Sequence, residues 1–138
     1  MRQAYVDANV ILRYLTNSPP KLAERAAKLF AQVEGEKVAL LVPDLIIGEV
    51  VWTLESFYGF PKPQIAQTLR AFFARDGIVV RDTDLVMDAL TLYEEKNINF
   101  ADALLGAFAL REGPQVAYSF DRHLDRIPGL TRLEPGSR

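Results

Sequence analysis

Four acids stand where plain packing would not put them: Asp7, Glu49, Asp102 and Asp121, with Asn9 and Ser119 close to two of them. Asp7 and Asn9 interrupt the apolar run AYVDANVILRYL. Glu49 lies in LIIGEVVWTL, surrounded by Leu45, Ile46, Ile47, Val50, Val51 and Trp52. A helix apolar on nearly all sides is expected to be buried, and a buried carboxylate needs a cation or a donor beside it. Asp102 comes three residues after Asn99, at the start of FADALLGAFAL, where a helix dipole favours an acid. Asp121 follows the apolar VAYSF. Singly, each has a plainer account: a turn or cap for Asp7, a first-turn acid for Asp102, a loop residue for Asp121, half of a buried ion pair for Glu49. Jointly, four acids without basic partners in their own segments would repel one another and raise each other's pKa. A hard divalent cation removes that conflict, and an all-oxygen set suits Mg²⁺ or Mn²⁺. Asn9 would then orient a carboxylate or a bound water, a role compatible with capping a helix over residues 10–16. Ser119 would donate to Asp121 or to a substrate phosphate.

The remaining charged residues fit structural roles. Asp44 and Asp82 read as helix caps, Glu94 and Glu95 as a solvated face, and Asp125 as a surface acid paired with Arg122 or Arg126. His123, the single histidine, reads as a surface residue. There are no cysteines, so disulfides, thiolate metal sites and a cysteine nucleophile are excluded. A net charge of −2 argues against a protein that coats nucleic acid, though not against an enzyme that grips it at a local basic rim. Arg13, Arg111, Arg122 and Arg126 are the candidates for such a rim.

These side chains must be held by a scaffold, and the apolar pattern describes one. Short β-like runs, AYVD (4–7), VALLV (38–42), IVV (78–80) and VAYS (116–119), alternate with helical periods. Helices are expected over 21–36, from Pro43-Asp44 to Gly59, from Lys62-Pro63 to Asp76-Gly77, over TDLVMDALTLYEEK, and over FADALLGAFALRE, which Asn99 can cap. A short last strand is expected near Leu133. Strands alternating with helices imply an α/β fold: a central, mostly parallel sheet covered by helices on both faces. Ligands of such sheets gather at the carboxyl ends of the strands, where Asp7 and Asp121 are expected. The 138 residues fit a single domain, 1–138. The N-terminus lacks a small-residue cleavage site, and its apolar run is too short for a membrane span, so a cytoplasmic protein is expected.

VDANVILRYL, Glu49 in its apolar helix, FADALLGAFAL and SFDRHLDRIPGL together resemble the PIN domain, especially the VapC-like toxins of bacterial toxin–antitoxin pairs. The likeness covers nearly the whole chain. It implies a three-layer α/β/α fold and a Mg²⁺- or Mn²⁺-dependent endoribonuclease. By resemblance, Asp7, Glu49, Asp102 and Asp121 form the catalytic and metal-holding set, with Asn9 and Ser119 supporting it. The family pattern often has Thr where Ser119 stands; the hydroxyl is kept. The resemblance also implies an RNA substrate, a homodimer and a small antitoxin that occludes the site. The apolar side chains near Trp52, Phe57, Tyr58, Phe60, Phe72 and Phe73 would supply those surfaces or simply form core.

Three other classes compete. An aspartate-nucleophile phosphatase of the haloacid-dehalogenase type wants a second Asp two residues after the first, and Asn9 stands there. A response-regulator receiver needs adjacent acids and a late Lys, which are not evident. A non-catalytic PIN-like domain that only binds partners would tolerate loss of the acids, all four of which are present.

Overall fold

The computed structural model describes residues 2–136, and the chain divides into two compact units, Met1–Thr83 and Asp84–Arg138. In the first unit, β1 (Arg2–Tyr5), β2 (Val38–Leu41) and β3 (Ile78–Val79) form a parallel sheet in the order β1-β2-β3. Tyr5 pairs with Leu41 and Leu41 with Val79, so all three carboxyl ends lie together. Three consecutive residues of β2, Val38, Ala39 and Leu40, are buried, as an unbroken apolar run in a covered parallel strand requires.

Four helices serve this sheet: α1 (Ala8–Thr16), α2 (Pro20–Glu34), α3 (Asp44–Ser56) and α4 (Lys62–Phe73). Proline places three of the starts: Pro19, Pro43 and Pro61 occupy the cap positions, where a missing N–H costs nothing. The α1 helix packs on α2 and α3, and α2 packs on β2. Buried Ile11, Phe30, Leu40, Ile47, Leu54, Leu69 and Phe73 form the core. Tyr14 stacks on Phe30 at 4.2 Å between ring centroids, and Phe72 meets Phe30 edge-on. Gly77, at φ +86°, turns the chain into β3, and its carbonyl accepts from Leu40 N–H at 2.7 Å.

The second unit holds α5 (Thr83–Glu95, from its second residue), α6 (Phe100–Glu112), β4 (Val116–Tyr118), a 3₁₀ turn (Arg122–Arg126) and β5 (Thr131–Leu133). β4 and β5 pair in parallel, Val116 with Thr131 and Tyr118 with Leu133. Tyr93, Leu90, Ile98, Ala103 and Leu124 are buried, with Tyr93 edge-on to Phe100. Gly106 lets Ile127 close on α6, since a Cβ there would lie 2.5 Å from Ile127 Cδ1.

Every strand pairing is parallel, and strands alternate with helices along the chain, the α/β class expected. The helices over 20–34, 44–56, 62–73, 83–95 and 100–112 match their periodicity closely. β1 departs from expectation: it begins at Arg2 and ends at Tyr5, two residues earlier than its apolar letters suggest. Arg2 and Gln3 pair with Val38 and Ala39 while their side chains stay exposed, which an edge strand permits. The 3₁₀ turn after Asp121 carries no period long enough to read. Among the described residues, no helix is long and apolar enough to cross a membrane.

Candidate metal centre

In the second unit, α6 and the exit from β4 bring Asp102 and Asp121 together. Asn99 caps α6, its side-chain oxygen accepting from Asp102 N–H at 2.8 Å, so Asp102 stands in the first helical turn as expected. β4 ends at Tyr118, and local bonds then fix the loop. Ser119 Oγ accepts from Asp121 N–H at 2.9 Å, and Asp121 Oδ1 accepts from His123 N–H at 2.9 Å. Ser119 therefore supports Asp121 through the backbone, as an acceptor.

The two carboxyl groups lie within hydrogen-bonding reach and perturb each other. Burial, then the charge and hydrogen bond of Asp121, push the Asp102 carboxyl above its ordinary value. The His123 backbone N–H, above all, holds Asp121 below its own. Asp102 Oδ2 is buried and has no hydrogen-bond donor. An ionised carboxylate facing another can only accept, so the pair is satisfied by a shared proton or a cation.

In the first unit, Asp7 caps α1: Oδ1 accepts from Val10 N–H at 3.2 Å. The plainer account of Asp7 is thus true of one oxygen. The residue also lines a cavity of ≈ 540 Å³ with Tyr5, Val6, Val10, Leu29, Pro43 and Ile46, at the carboxyl end of the sheet. Asn9 is not a cap; it sits within the first turn of α1, which starts two residues before the residue 10 expected.

Glu49 is exposed, which corrects the expectation of a buried acid. An apolar sequence around a helix does not enforce burial: Leu45 and Trp52 of the same helix are 83% and 67% exposed. Leu45, Glu49 and Trp52 are spaced by four and three residues and share the solvent face. Glu49 also follows Ile46, a wall of the Asp7 cavity, by three residues and so lies one turn along from it.

Asp44 is not a cap either; Pro43 holds that position, and Asp44 pairs with Arg81 at 3.0 Å. Asp125 is paired as expected of a surface acid, but with Arg132, through contacts at 2.9 and 3.3 Å, rather than with Arg122 or Arg126. That bidentate pair, led by the Arg132 hydrogen bond, holds Asp125 below its ordinary pKa. Among the rim candidates, Arg111 is engaged by Asp88 and Asp84, and Arg126 by the carbonyl of Asn97 at 2.7 Å. Among the described residues, Arg13 reaches only the Tyr58 hydroxyl, at 3.5 Å.

His123 is more than a surface residue: its Nδ1 lies 3.3 Å from Asp121 Oδ1. The signal was its place two residues after an acid that follows a strand, where a capping bond forms. Arg132 left no local signal, because its pairing with Asp125 closes only when β5 returns beside β4. Among the described residues, within neither unit do three or more His, Asp or Glu side chains converge on one metal position. The donor chemistry nonetheless fits a hard cation: Asp102 and Asp121 offer carboxylate oxygens only, and Oδ2 of Asp102 is an orphaned acceptor.

A family model for the PIN domain matches residues 4–130. The chain is 24% identical over 130 residues to the VapC ribonuclease of Aquifex aeolicus (strain VF5), spanning 94% of this chain and 95% of that protein.

Proposed function

Since the chain belongs to the PIN domain family, with its α/β/α fold, we propose that it is a divalent-metal-dependent endoribonuclease and the toxin of a toxin–antitoxin pair. The similarity to a VapC ribonuclease supports this reading. The observation that carries it is the buried, donorless Oδ2 of Asp102, in a carboxyl group that interacts with that of Asp121. Residues 1–138 act as one PIN domain in this reading, the family match running through both units.

Asp7, Glu49, Asp102 and Asp121 hold Mg²⁺ or Mn²⁺. When bound, the cation offsets charge on phosphoryl oxygens and makes water more acidic. Asn99 and the α6 N-terminus set the direction of Asp102. Ser119 and the His123 N–H set that of Asp121 and keep it ionised. Asp7 spends one oxygen on its helix, which fixes the carboxylate beside its cavity. Asn9, one turn of helix away, orients a carboxylate or a water. The substrate is RNA, cut by phosphodiester hydrolysis in the cytoplasm. A small antitoxin occludes the site, and the toxin is a homodimer.

The test is cleavage of a mixed pool of structured RNAs in Mg²⁺, Mn²⁺ or EDTA, beside Asp7→Ala and Asp102→Asn. Metal-dependent cutting that both substitutions abolish is expected. A folded wild-type chain that cuts nothing in either metal, or cutting that survives EDTA and both substitutions, rejects the proposal. The first result would favour a domain that only binds partners.

A further inference from the structure

We infer that α1 and α2 carry a phosphate clamp, formed by Arg13 and Arg25 with Asn9, which holds the backbone of a single-stranded RNA running away from Asp7. The inference rests on the nuclease reading above.

Asn9, Val10 and Arg13 of α1 face Leu22, Arg25, Ala26 and Leu29 of α2 across a cavity of ≈ 380 Å³. Its only charged side chains are the two arginines. The spacing is dictated by the helices: Asn9 and Arg13 are four residues apart, as are Leu22 and Ala26, and Arg25 and Leu29, so each helix turns one stripe inward. Four arginines elsewhere in the chain are matched to acids, Arg75 to Glu34, Arg81 to Asp44, Arg111 to Asp88 and Arg132 to Asp125, and Arg126 is held by the carbonyl of Asn97. Arg13 has only the neutral Tyr58 hydroxyl, and Arg25 has no carboxylate partner among the described residues. Two guanidinium groups over an apolar floor therefore await an anion, and their planar forks suit phosphate.

Position favours a nucleic-acid strand over an acidic peptide. The cavity shares Val10 and Leu29 with the one that Asp7 lines, so the two adjoin. From Asp7 at the cap to Arg13, α1 rises about 9 Å at 1.5 Å per residue. At about 3.4 Å per nucleotide that is the span of about two or three nucleotides of a stacked strand, so a backbone cut at Asp7 would lay its neighbouring phosphates over Arg13 and Arg25. The apolar floor of Val10, Leu22 and Leu29 would meet sugars and bases.

The test is anisotropy of a fluorescein-labelled 2′-O-methyl single-stranded RNA, which resists cleavage, titrated with the full chain in EDTA over a salt series. Arg13→Gln/Arg25→Gln is expected to weaken binding about tenfold or more at low salt. It should flatten the slope of log K against log salt by about 1.4, or about 0.7 per lost phosphate contact. Arg25→Glu tests the clamp without touching the Tyr58 contact and should weaken binding further than Arg25→Gln. Lys28→Gln, also on α2 but paired with Glu24, should bind as wild type. Unchanged affinity and slope in folded double and Arg25→Glu variants overturn the clamp, even if the wild type cuts RNA. Polyglutamate binding that needs both arginines, with RNA binding unaffected, also overturns it, in favour of an acidic protein partner. RNA binding that needs the arginines in a chain that never cuts with Mg²⁺ or Mn²⁺ keeps the clamp and rejects the nuclease.

Discussion

Asp102 concentrates the electrostatic tension of the chain, and that makes it testable. Its folded-state pKa is raised above the ordinary 3.8, chiefly by burial. The folded chain therefore keeps a proton at pH values where the unfolded chain has released it, and stability falls as pH rises from about 3.8 through the raised value. Asp121 works the other way: its pKa is lowered, so its contribution is lost as pH falls through its folded value. Asp102→Asn removes the first effect and can donate to Asp121. The variant's melting temperature should exceed that of wild type by more at pH 7 than at pH 4. Mn²⁺ should raise the wild-type melting temperature more at pH 7 than at pH 4, and should do little for Asp102→Asn. A Mn²⁺ shift of equal size in both proteins would remove Asp102 from the metal set. The residue types of this pair, and the Asn99 cap beneath it, were legible in sequence because capping is local. Glu49's exposure was not, because apolar letters report what a helix can bury and not what lies against it.

Two element ends decide how firmly these side chains are held. The Asn99 side chain caps α6 and receives the Asp102 N–H, so Asn99→Ala should cost about 1 kcal/mol in urea denaturation and weaken metal affinity along with it. A stability loss with unchanged metal affinity would make the cap structural only. At the other end of the chain's logic, Gly77 holds φ +86°, and a Cβ there would lie 2.7 Å from Val33 Cγ1. Gly77→Ala should therefore destabilise by about 1–2 kcal/mol, since a strained backbone and a stiff β-branched neighbour both oppose it. Helices were the most legible elements because their period runs over three or more turns. β3 has two residues and the turn after Asp121 five, too few for any period to declare itself, and β1 took two polar residues that only its pairing partner explains.

Across the whole molecule, the apolar surface is the least settled part of the sequence's promise. The aromatic residues expected either in core or at a partner surface divide: Phe72 and Phe73 are 3% and 2% exposed, Trp52 and Phe57 67% and 77%. Trp52 shares its helix face with Leu45 and with Glu49, so a partner laid there covers an acid of the proposed site as it buries the indole. This links the proposed homodimer and antitoxin to activity through one surface. It also supplies a probe, because Trp52 is the only tryptophan in the chain. Dilute protein should emit as a water-exposed indole. If α3 takes part in the dimer, emission should shift to the blue as sedimentation shows the dimer forming, and Trp52→Glu should hold the chain monomeric at concentrations where wild type is not. A wild-type dimer whose tryptophan still emits as if in water would place the interface elsewhere and leave the α3 face to another partner. Exposed apolar area of this kind calls for cover, and an acid in its midst makes that cover a means of control.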